Sequence, residues 1–147
     1  GRYVGGWVKL KPVLESLDLV IVSAEYGEGK RAGWLTSYTL ACMKYGKLVE
    51  VGKASTGLKE KSEGLSFKDM TKLLKPLILE QEGKQVKVKP AIVIEVGYEE
   101  IQKSTNYTSG FALRFPKLVR LREDRGVKDC DDVKKLEQIY QSQRGKK

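Results

Sequence analysis

The sequence reads as an all-β barrel of five strands, with one internal helix and one C-terminal helix. Short β-branched or alternating apolar runs recur along the chain, bounded by Gly, Pro, Asn and Ser. One central stretch changes to helical spacing, and a second amphipathic stretch closes the chain. The composition is 40% hydrophobic and 32% charged, which supports a folded core rather than a disordered chain.

The first strand covers residues 17–25 (LDLVIVSAE), an apolar run rich in Val and Ile. Residues 26–33 (YGEGKRAG) form a Gly-rich basic loop, and residues 34–43 (WLTSYTLACM) the second strand. Tyr45-Gly46 turns the chain into a third strand over 48–53. Phe67, Met70, Leu73, Leu74 and Leu77 then recur at helical spacing. Ser66, with Asp69 three residues on, marks the start of that helix. Pro76 lacks the N–H a helix needs and ends or kinks it near Lys75. Pro90 opens a fourth strand over 91–98 (AIVIEVGY), and a polar loop over 102–109 leads to a fifth over 110–122 (GFALRFPKLVRLR). Residues 129–143 form the closing helix, with Val133, Leu136, Ile139 and Tyr140 inward. Asp129, Asp131 and Asp132 lie near the positive end of its dipole. Three strands, a helix and two strands is the order of an OB-fold, a five-stranded Greek-key barrel.

Histidine is absent, and Cys42 and Cys130 stand far apart in no metal-ligand spacing. This argues against a zinc site and excludes a His-based triad. The two cysteines are expected as free thiols in a reducing compartment. No apolar run approaches the ~20 residues of a membrane span. The net charge of +9 suits a polyanionic partner, although a solvated basic surface would look the same.

The fifth strand carries the most chemistry. Counting by twos places Phe111, Leu113, Phe115, Val119 and Leu121 on one face, and Arg114, Arg120 and Arg122 on the other. Residues 103–125 hold an excess of four positive charges, Lys103 and Lys117 among them. An apolar inside with arginines outside suits contact with phosphates; an ordinary solvated face is the alternative. Pro116 is expected to bulge the strand and turn Lys117 to the arginine side. Lys9 and Lys11, in WVKLK, share one face of an extended segment and fit either an anion or open solvent. Lys30 and Arg31 lie in the loop joining the first two strands, which fits equally a plain hairpin loop or the nucleic-acid contact that this loop often makes in an OB-fold. That loop has no phosphate-loop match. Glu95, in an otherwise apolar strand, has no visible catalytic partner and is expected in a buried ion pair or at the barrel rim.

Residues 95–124, EVGYEEIQKSTNYTSGFALRFPKLVRLRED, resemble the stretch around the last nucleotidyltransferase motif, motif VI, of archaeal and eukaryotic ATP-dependent DNA ligases. WVKLK resembles motif V of that family, and residues 18–40 and the helix ending LLKP are also similar to it. The resemblance implies an end of the adenylation domain over residues 1–13 and an OB-fold domain with its C-terminal helix over 14–147. It implies nucleotide contacts from Lys9, Lys11, Arg114 and Lys117, the last two orienting the ATP pyrophosphate during enzyme adenylation. At the Lys117 position the family usually has arginine, whose bidentate grip lysine lacks. DNA contact is implied for Phe115 as a minor-groove wedge, and is expected from the charge pattern at Lys30, Arg31, Lys103, Arg120 and Arg122.

The activity implied is sealing of nicked duplex DNA, with ATP and Mg²⁺ as cofactors of the complete enzyme and none bound by this chain alone. The adenylation domain of the same protein is the implied partner. The implied location is the cytoplasmic nucleoid in an archaeon and the nucleus in a eukaryote. The family's nucleophilic lysine lies in a KxDG motif that these 147 residues do not contain, so this chain alone is expected to be inactive. Other readings are a stand-alone OB module that binds nucleic acid without catalysis, or the OB domain of an mRNA-capping enzyme.

Overall fold

A computed structural model describes residues 16–55 and 66–145. β1 (Leu17–Tyr26), β2 (Leu35–Lys44) and β3 (Lys47–Ala54) form an antiparallel meander. Tyr45 and Gly46 both take positive φ, +51° and +79°, the geometry of the tight hairpin turn that matches strand twist. Along β1, Leu17, Leu19 and Ile21 point into the main core, while Val20 joins Val93 and Cys130 in a smaller cluster on the other side. A bulge between Ile21 and Ser23 shifts the alternation, so that Ala24 continues the inward face and β1 bends.

α1 (Phe67–Leu74) follows, capped as the sequence predicts. The Asp69 N–H donates to Ser66 Oγ at 3.2 Å. Thr71 Oγ accepts the Leu35 N–H and donates to the Phe67 carbonyl, each at 2.8 Å, tying the helix to the start of β2. Pro76 falls in a single 3₁₀ turn, Lys75–Leu77, where the helix ends.

Next comes a hairpin absent from the sequence reading, β4 (Ile78–Glu82) and β5 (Gln85–Val88). β5 pairs with residues 23–25 of β1, beside the stretch 17–20 that pairs with β6 (Val93–Gly97). The chain continues through β7 (Glu100–Lys103), β8 (Phe111–Arg114) and β9 (Lys117–Leu121). β6 pairs with β9 and β7 with β8, so these four segments are one long hairpin creased at 98–99 and again at 115–116. They are the fourth and fifth strands of the barrel. β8 lies against β3 without a shared ladder: a Cβ on Gly52 would sit 3.8 Å from the Leu113 nitrogen, and the Ser109 N–H donates to the Glu50 carbonyl at 3.4 Å. This is the all-β, partly open five-stranded OB barrel, with one added hairpin.

α2 (Val133–Gly145) covers one side, with Leu136 fully buried and Val133, Ile139 and Tyr140 packed on the core. The Gln143 side-chain amide accepts the Ile101 N–H at 2.8 Å and donates to the Ile101 carbonyl at 2.9 Å. It thereby satisfies both backbone groups at the free edge of β7.

Four expectations need correction. The fifth strand is broken, because Pro116 cannot donate to a ladder and Phe115 takes φ +51°. Phe115 and Val119 are therefore exposed, at 58% and 54%, and Leu118 is buried instead. Val119 is the extra residue of a bulge opposite Glu95 and Val96. Gln102 and Lys103 belong to β7 rather than to a loop. The closing helix begins at Val133, because Cys130 is extended after a separate 3₁₀ turn, Val127–Asp129. The three aspartates consequently have different jobs. Asp132 caps α2 through the Lys135 N–H at 3.1 Å, Asp131 accepts the Asp18 N–H at 2.8 Å, and Asp129 accepts the Gly126 N–H at 3.0 Å.

Candidate functional site

The crease in the long hairpin builds the site. Arg114 ends β8 directly opposite Glu100, and its guanidinium meets that carboxylate at 2.9 Å with both side chains about half exposed. The guanidinium carbon also sits 5.1 Å from the centre of the Phe115 ring. Regular alternation would have placed Arg114 and Phe115 on opposite faces. The positive φ of Phe115 turns its ring outward beside the arginine instead. Such a backbone in a bulky residue costs about 1–3 kcal/mol and persists only where the surroundings impose it. Pro116 then lets the chain re-enter the sheet at Lys117, opposite Gly97. Lys117 is exposed and makes no ion pair among the described residues, while its neighbour Leu118 points inward.

Two further arginines lie along β9 and just beyond it. The Arg120 Nε donates to Glu95 at 2.7 Å, and Ser16 Oγ donates to the other oxygen of the same carboxylate at 2.6 Å. The Arg120 hydrogen bond, then that of Ser16, hold the Glu95 carboxyl below its usual range. Glu95 is thus in an ion pair, but not a buried one, since the Arg120 side chain is 64% exposed. Arg122 is turned inward, its side chain only 16% exposed. It reaches Asp18 and Asp124 at 3.3 Å, and Arg125 meets Asp18 from the other side at 3.2 Å. The hydrogen bond with Asp124 is the largest influence keeping the Arg122 guanidinium charged. The exposed cations of this surface are therefore Arg114, Lys117 and Arg120, and Arg122 ties the end of the strand to β1.

The other candidate residues are scattered. Lys103 lies over the rings of Phe111 and Tyr140, 5.2 and 5.4 Å from their centres. Lys30 is exposed in a 3₁₀ turn, Gly29–Arg31, whose loop is tied to the β4–β5 turn by the Glu28–Lys84 ion pair. Lys9 and Lys11, the proposed boundary at residues 13 and 14, and the Arg31 side chain lie outside the described part of the structure. Cys42 and Cys130 are buried free thiols, which burial pushes up to about 12 and about 11. No cluster of three or more His, Cys, Asp or Glu that could hold a metal exists among the described residues. None of the described helices is long and apolar enough to cross a membrane.

A family described as the ATP-dependent DNA ligase C-terminal region matches residues 31–125. The DNA ligase of Nanoarchaeum equitans is 59% identical over 150 aligned positions, covering 99% of this chain and 26% of that protein. The DNA ligase of Archaeoglobus fulgidus is 46% identical, covering 97% and 25%. The chain thus spans about a quarter of the length of these relatives. Among solved structures, the ligase domain of M. tuberculosis LigD superimposes with a TM-score of 0.63 at 24% identity, covering 79% of this chain and 38% of that one. A mycobacterial DNA ligase D complexed with ATP and MES gives 0.60 at 22% identity, covering 80% and 38%. At those identities the two structures speak for the fold alone, which is the one described above. On the family match across most of its length, the chain belongs to the C-terminal region of ATP-dependent DNA ligases.

Proposed function

We propose that this chain serves an ATP-dependent DNA ligase in two ways: its creased hairpin orients the ATP pyrophosphate while the enzyme loads AMP onto itself, and its exposed basic surface holds nicked duplex DNA. The observation that carries the reading is the group Arg114, Phe115 and Lys117 at the crease, two exposed cations flanking a strained, exposed aromatic ring. In the loading stage a lysine attacks the α-phosphate of ATP and pyrophosphate leaves. Negative charge grows on the leaving oxygens only in that stage. A guanidinium and an ammonium aimed at them lower that barrier and leave later stages alone. Arg114 and Lys117 fit this role among the described residues, and Lys9 and Lys11 are proposed nucleotide contacts by family position. Mg²⁺ would be held by residues other than these cations and would help neutralise the phosphates. Phe115 is of the apolar type that wedges into a minor groove. Arg120, Lys103, Lys30 and Arg31 supply phosphate contacts, and Arg122 acts from within its ion pairs.

The test uses a ligase that carries this chain together with an adenylation domain. Arg114→Ala should slow self-adenylation by roughly 10²-fold or more, the scale of losing one electrostatic stabiliser. Sealing of a nick that already bears AMP should be affected far less. Lys117→Ala should show the same pattern more weakly. Equal losses in both single-turnover rates, at an unchanged melting temperature, would mean that Arg114 holds DNA or structure instead.

A further inference from the structure

We propose that a groove at the tip of the β7–β8 hairpin, on the opposite side of that hairpin from Arg114, takes phosphates of the DNA backbone. This rests on the DNA-ligase reading above and adds a contact surface to it. The groove holds about 520 Å³ between the β2–β3 turn, the loop after β7 and the first turns of α2. Lys44, Lys103 and Lys134 line it, with Tyr45 beside them. Glu137 is its one acidic lining residue and already accepts the Gln141 amide at 2.9 Å. Lys44 and Lys134 make no ion pair among the described residues, so the groove is left with a net positive charge.

Two features of the β2–β3 tip oppose stability and suit an anion. Lys44 lies directly opposite Lys47 in the strand register, and facing like charges repel. Tyr45 occupies a left-handed turn position that Asn or Gly would fill without strain, yet 88% of it is exposed. Phosphate between the lysines would relieve the repulsion. An exposed ring beside it offers a face for sugar or base, the combination used on nucleic-acid strands. The neighbouring loop, including Ser109 and Gly110, joins the fourth and fifth barrel strands, a loop with which OB-folds commonly meet oligonucleotides.

The groove is separate from the pyrophosphate-orienting residues. Alternation along β8 sends Phe111 and Leu113 toward the core and Arg114 to the other face. Lys103, opposite Phe111 in the register, lies over that inner ring. The two faces of one hairpin therefore address two different polyanions.

Anisotropy of a fluorescently labelled nicked duplex, measured with the 147-residue chain between ~50 and ~200 mM salt, tests this. The double variant Lys44→Gln, Lys134→Gln should flatten the dependence of log affinity on log salt by about 1.8, at about 0.9 per lost phosphate. In a ligase that carries this chain together with an adenylation domain, the same double variant should leave the single-turnover rate of self-adenylation unchanged. Tyr45→Asn should raise the melting temperature by about 2–4 °C through relief of strain, yet bind the duplex more weakly. Duplex binding by both variants with wild-type affinity and slope, while Phe115→Ala weakens it, would sink the groove and leave the ligase reading standing. Slower self-adenylation with unchanged duplex binding would make the groove part of the nucleotide site and refute the proposal. A wild-type chain that binds no duplex even at low salt would remove the DNA-holding reading itself.

Discussion

Glu95 interrupts an apolar strand, and its carboxylate is held by Arg120 first and Ser16 second. Because these partners lower its titration point, the stability they confer is fully present above the ordinary value of 4.5. It is lost as the pH falls through 4.5 toward the lowered value. The wild-type melting temperature should accordingly drop more than that of Glu95→Gln between about pH 6 and pH 3. Parallel curves for the two proteins would show that the pair adds nothing to folding. At this scale the sequence told which residues are charged and which strand holds them. It could not tell that Arg122 would meet Asp18, 104 positions away, while Arg120 stayed outside. That choice follows from the pairing register, which sets Arg120 opposite Glu95 and Glu95 opposite Asp18, a relation that local alternation does not contain. The outward turn of Phe115 was hidden for a related reason: its neighbour Pro116 signals a break, but nothing local assigns a left-handed backbone to a phenylalanine.

Most elements were legible where periodicity and a stop signal agreed, as in the three-strand meander and in α1 with its serine cap and Pro76. The β4–β5 hairpin was missed although Gly83, in a left-handed turn, and the alternating Val86 and Val88 mark it. Its strands are only 5 and 4 residues long, and β4 has no buried residue, so its apolar pattern is weak. Another element-scale feature depends on one side chain. Gln143 pairs with both backbone groups of Ile101, as a neighbouring strand would. Gln143→Ala should destabilise the chain by about 1–2 kcal/mol, since two hydrogen bonds disappear and one edge loses its partner. Hydrogen exchange should report the loss locally, with the Ile101 amide speeding up more than that of Leu19 in the middle of β1. Equal protection in both proteins would mean that the amide contact is dispensable.

For the whole molecule, strand order led to the right barrel, and the motif VI stretch led to the right family. Composition alone left a basic surface with no assigned partner. Ligation chemistry needs a lysine nucleophile, and the KxDG pattern that carries it is absent from these 147 residues. Incubated with labelled ATP and Mg²⁺, this chain should acquire no covalent AMP; a stoichiometric adduct on any lysine would overturn the division of labour argued here. One architectural detail bears on how the parts of such a chain hold together. Neighbouring barrel strands are joined by ladders, interrupted by bulges and creases, except where β3 and β8 touch with no ladder between them. The C-terminal helix is tied through Gln143 to β7, which pairs with β8 beside this unlaced line, and through Asp131 and Asp132 to β1 and β2. The part of the molecule that carries Arg114 is therefore joined to the meander by the packing of Ile101, Phe111 and Leu113 in the core and by the Ser109–Glu50 hydrogen bond, with no ladder between them.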